Sequence, residues 1–98
     1  MQMNNHVVYV PSQFAEDATK LAVRYAGGCT ALPGAAGFWH GPDGLMRDDI
    51  TLLQIFERGT LARDHVISRL FSGGELAVAY VTNGIPNIVE SGEWAEAA

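Results

Sequence analysis

A small α+β fold, one antiparallel sheet with two helices on one of its faces, is predicted from three features of the sequence. Two helical stripes each close on a glycine pair, runs of strand composition alternate with them, and hairpin turns stand at Asp43-Gly44 and Asn83-Gly84. A chain of 98 residues with 48% hydrophobic content makes one domain, residues 1–98, that buries roughly two-thirds of its unfolded surface.

His6-Val-Val-Tyr-Val10 is a β-branched and aromatic run, and Pro11, which has no backbone N–H to give a ladder, ends it as a first strand. A helix over about Gln13 to Ala26 follows. Ser12 is its expected cap, Glu16 and Asp17 sit at the positive end of its dipole, and Lys20 and Arg24 lie toward the negative end. Phe14, Ala18, Leu21, Ala22 and Tyr25 form one stripe of period 3.6, and Gly27-Gly28 supplies a left-handed stop.

Cys29 to Leu32 and Phe38 to His40 read as one second strand, bent or bulged across Pro33–Gly37, and Gly41-Pro-Asp-Gly44 is the turn after it. Ile50 to Phe56 is the third strand. A second helix starts near Thr60, with Ala62, Val66, Ile67, Leu70 and Phe71 on its apolar side, Arg63, Asp64, Ser68 and Arg69 toward water, and Ser72-Gly73-Gly74 closing it. Leu76 to Val81 is the fourth strand. Asn83-Gly84 turns the chain back into a short fifth strand, Ile85 to Glu90, which Pro86 confines to an edge. The tail from about residue 91 is small and acidic. The element order is that of a split βαβ unit, so the predicted fold is a ferredoxin-like βαββαβ core with a short C-terminal addition.

The stretch from Gly27 through Cys29, Thr30, Pro33 and Gly37 to Trp39, followed by Gly41-Pro-Asp-Gly44 and an apolar strand, resembles small uncharacterised ferredoxin-like proteins of bacteria and their phages. In those a Gly-Thr strand ends Gly-x-Trp before an Asp-Gly hairpin. The likeness spans residues 6–90 and implies the same fold, although Gly74-Glu75-Leu76 replaces the glutamine usual after the second helix. It implies no catalytic residue, because the family has no agreed activity.

The formal net charge of −5 repels phosphate backbones, so direct nucleic-acid binding is not expected. One cysteine cannot make an internal disulfide, and Met1 to His6 lacks a basic start and apolar run, which places the expected setting in the cytoplasm. The stretch Tyr25 to Pro42 is free of charged side chains but too rich in glycine and proline to span a membrane.

His40, Asp43, Asp48 and Asp49 flank one hairpin, yet their spacing matches no metal site, and no metal or cofactor is expected. His6, His40 and His65 have no Ser or Cys motif to pair with as general bases, and His65 reads as solvated. Cys29 reads as a packed, inert thiol. The glycines from Gly34 to Gly44 lack the lysine and the following helix of a phosphate loop. Phe38-Trp39 reads as an aromatic anchor, with a place in the core favoured over one exposed to a partner. No catalytic residue emerges.

The third and fourth strands are apolar at nearly every position, and two helices cover only one face. The other face must be covered by a second subunit, by a ligand, or by the C-terminal segment with Ile88, Val89 and Trp94. The reading is therefore a non-catalytic protein-binding module, a homodimer through Leu52, Phe56, Val78 and Tyr80, with Phe38, Trp39, Asp43, Asp48 and Asp49 as further binding residues. An accessory protein of a phage or mobile element that inhibits a host factor fits the size and acidity, with Asp43–Asp49 or Glu90, Glu93 and Glu96 as the contact. The alternative is a dimeric ferredoxin-like ligand-binding protein or enzyme whose pocket, lined by Phe38, Trp39, Phe56 and Tyr80, lies between two sheets.

Overall fold

Alternation along the first strand decides the architecture: His6, Val8 and Val10 are fully buried, whereas Asn5 before them and Tyr9 between them are exposed. The computed structural model describes residues 2–94. In it β1 (Asn4–Pro11) runs antiparallel to both of its neighbours, β3 (Gly44–Glu57) on one side and β4 (Ala77–Thr82) on the other. β2 (Thr30–Gly41) extends the sheet beyond β3 and β5 (Ile85–Glu90) extends it beyond β4, so the order is β2-β3-β1-β4-β5.

Two helices, α1 (Ala15–Ala26) and α2 (Leu61–Ser72), pack on each other and on one side of this sheet. Ala18, Ala22, Ala62, Val66, Ile67 and Leu70 meet Val8, Val10, Leu53 and Ile55 there, and this single layer is the core. Alanine at the closest helix positions lets both backbones approach the strands.

Local signals act as the residue types demand, with small displacements. Gly27 closes α1 in the left-handed region (φ 85°) and donates its N–H to Val23 O at 3.0 Å. α2 closes one residue later than its glycine pair implies, since Gly74 carries the positive φ (101°), while Gly73 packs against the ring of Phe14. The β4–β5 turn is of the mirror type, with Asn83 at φ 51° and Gly84 at φ 80°. Ser12 does not cap: it belongs to a 3₁₀ turn, Ser12–Phe14, that leads into α1, and its hydroxyl meets that of Thr51 at 3.1 Å.

β2 and β3 form a hairpin far longer than the strand runs predict. Its register shifts between Leu32 and Ala35, with Gly34 at φ 86°, and then continues to Gly41–Gly44. β1 pairs with β3 only as far as Ile50, so the ribbon beyond it projects as a two-stranded arm, and the longest dimension reaches 46 Å. On the arm Ile50 lies across Gly37 and Met46 across Gly41, where a Cβ would meet their side chains at 3.1 and 2.5 Å.

Candidate functional site

The polar residues of the sheet gather at the end away from the arm. His6, fully buried on β1, places Nε2 2.9 Å from the carbonyl oxygen of Gly59, which can only accept, so Nε2 carries a hydrogen. Nδ1 lies 2.8 Å from the hydroxyl of Thr82, which in turn accepts from Arg63 Nη1 at 3.1 Å. Glu57 stands 3.4 Å from His6 Nε2, and its two carboxylate oxygens accept the N–H groups of Ala62 and Arg63 at 2.9 and 3.0 Å. That carboxylate ties up two orphan donors of the first turn of α2 and answers its dipole.

At the centre of this network His6 is fully buried, while Arg63 and Thr82 at its margin are partly exposed. No buried side-chain nitrogen or oxygen among the described residues lacks a partner. His65 is likewise engaged rather than solvated: its ring stacks on Tyr25 with centroids 4.0 Å apart. Arg63, expected in water, is half-buried, pairs with Asp64 and lies 4.8 Å over the Tyr80 ring. Partial burial raises the Cys29 thiol above its ordinary range, which disfavours the thiolate.

The side of the sheet away from the helices is the accessible feature. Val7 and Tyr9 of β1, Leu52 and Phe56 of β3, Leu32 of β2 and Ile88 of β5 share it by register, and Leu32 and Ile88 are 59% and 77% exposed. On β1, β3 and β4 the positions of this face, from Asn5 to Tyr9, Ile50 to Phe56 and Ala77 to Val81, carry no charged side chain. Trp39 and Met46 continue it along the arm.

The assignment of Val78 and Tyr80 to this face is corrected by the pairing of Val8 with Tyr80, which puts both on the helix side, Val78 in the core and Tyr80 beside Arg63. Ala77, Ala79 and Val81 take their place. Phe38 and Trp39 are not core residues either, at 61% and 45% exposure on the arm, and they lie on opposite sides of it. Consecutive Asp48 and Asp49 also point to opposite sides, and Asp49 is paired with Arg47 at 2.7 Å, so with Asp43 at the tip they make no common patch.

Trp94 does not plug the open face. It lies on the helix side, its ring 6.2 Å from that of Phe71 and its Nε1 donating to Ser68 Oγ at 2.9 Å. Glu96 lies outside the described residues. Where the arm passes the α2–β4 connection, a cleft of about 610 Å³ opens between Trp39 and Asp48 on one wall and Gly74 to Ala77 on the other. Among the described residues no three His, Cys, Asp or Glu side chains come together as metal ligands, and no helix is long and apolar enough to cross a membrane. No family model, curated protein or solved structure matches the chain.

Proposed function

We propose that this chain is a non-catalytic protein-binding module with a ferredoxin-like core, in which β5 is an added edge strand and the open sheet face is the working surface. The split order, with β1 between β3 and β4, supports the fold name. The observation that carries the function is the contrast between polar groups consumed in a buried structural network and a wide, largely apolar face left open, whose three central strands are uncharged over Asn5 to Tyr9, Ile50 to Phe56 and Ala77 to Val81. The partner such a face selects is apolar.

The test compares affinity-tagged wild-type protein with Leu52→Lys as baits. A stoichiometric protein, whether foreign or a second copy, held by the wild type and lost from the variant is the expected result. Equal recovery on both, or none on either, rejects the reading.

A further inference from the structure

We infer that the occupant of the open face is a second copy of this chain, packed sheet to sheet about a two-fold axis that runs along β1. The inference rests on the reading that this face is the working surface, and it names the partner.

Area comes first. Five strands spaced ~4.8 Å apart and the eight residues of β1 at ~3.3 Å each give a footprint of about 600 Å² per copy before the arm is counted. Two such faces bury about 1,200 Å², which reaches the lower bound of specific, stable interfaces. Charge comes second, since a molecule with net charge −5 would repel its own copy wherever its carboxylates met. The three central strands present none on this face over Asn5 to Tyr9, Ile50 to Phe56 and Ala77 to Val81, and its carboxylates, Asp48 on the arm and Glu90 on β5, stand at its margins, where salt screens the repulsion that remains.

The pattern of side chains across the sheet fixes the axis. At one height the register sets Leu32 beside Leu52, Leu52 beside Tyr9, and Ala79 beside Ile88, and the β1–β4 ladder, continued by one pair, joins Tyr9 to Ala79. This row is bulky on the β3 side and small at β4. Rotation about an axis along β1 reverses the row upon itself, so Leu52 of one copy lies over Ala79 of the other, Leu32 over Ile88, and Tyr9 over its own mate. Beside the axis the large Leu52 then meets the small Ala79, as close packing of two sheets requires, while Leu32 packs on Ile88 at the margins. An axis across the strands would set Leu52 on Leu52 and Ala79 on Ala79, leaving a collision beside a gap.

Light scattering after size exclusion is expected to give twice the 10.5 kDa of one chain at micromolar concentration. Leu52→Lys should weaken the dimer at least 100-fold with an unchanged circular dichroism spectrum, and Ile88→Lys, on an exposed edge position, serves if Leu52→Lys does not fold. In a Cys29→Ser background, Leu32→Cys and Ile88→Cys placed in separate chains and mixed should join through a short bismaleimide, whereas Leu32→Cys alone should not. A single-chain mass for the wild type at 100 μM overturns the inference, and so does efficient cross-linking of Leu32→Cys to itself. Should the wild type be a monomer whose bait still holds a foreign protein through Leu52, the binding module stands and only the second copy falls.

Discussion

Leu52 and Leu53 are neighbours in the chain and face opposite worlds. Leu53, 1% exposed, is enclosed by two helices, while Leu52 lies half-buried among the side chains of an uncovered sheet. The helix side closes upon itself within one molecule, down to a polar network in which each buried group has its partner. The open side has the same apolar character and no such closure. A layer of two helices is enough to complete a fold of this size, and what it leaves uncovered is available for association.

The sharpest way to break this comparison is to truncate both leucines. Leu53→Ala should cost about 3 kcal/mol, the usual range for a cavity in a packed core, at any protein concentration. Leu52→Ala should cost less than about 1 kcal/mol in dilute protein, where only the monomer's own packing is lost. Chemical denaturation of the two variants at two concentrations checks this. Similar losses in dilute solution would mean that the open face is part of the monomer's core.

Glu57→Ala probes the polar end of the closed side. It strips two N–H acceptors from the start of α2 and a neighbour from His6, and the expected loss is about 2 kcal/mol. Glu57→Gln, which keeps one carbonyl acceptor, should recover part of it. If Glu57→Ala melts within a degree of the wild type, water replaces the carboxylate and the network is not a structural lock.

Much of this was legible from residue types with one geometric meaning. Gly27 and Asn83-Gly84 announced a left-handed stop and a mirror-type turn, and Pro86 announced an edge. The phase of β4 was not legible, because Leu76 to Val81 is apolar at every position and a period of two has no contrast to show; only pairing with β1 decides it. Trp39 reads as core by hydrophobicity alone, whereas the length of the hairpin carries it past the end of β1. The lock around His6 was missed, although an acid five residues before Ala62, at the start of a helical stripe, was a signal that a side chain reaches back to the first turn.

The smallest predicted effect lies on the open side, at the cleft beneath the arm. Partial burial pushes the Glu75 carboxyl above its ordinary range, and the negative charge of Asp48 across the cleft pushes it further in the same direction. A carboxyl with a raised value in the folded state holds its proton more tightly there than in the unfolded chain. Stability therefore falls as pH rises from the ordinary carboxylate range through the raised value, and stays flat above it. Glu75→Gln removes the penalty, so the variant should melt slightly above the wild type at neutral pH, and the two should converge as the solution is acidified through that window. Because Glu75 is largely solvated, the gain should be roughly a degree or two. Asp48→Asn should give a smaller part of it, being the lesser cause. Melting curves at closely spaced pH values distinguish this from a packing effect: a difference between wild type and Glu75→Gln that stays constant from acid to neutral pH would show that the carboxylate pair carries no electrostatic strain.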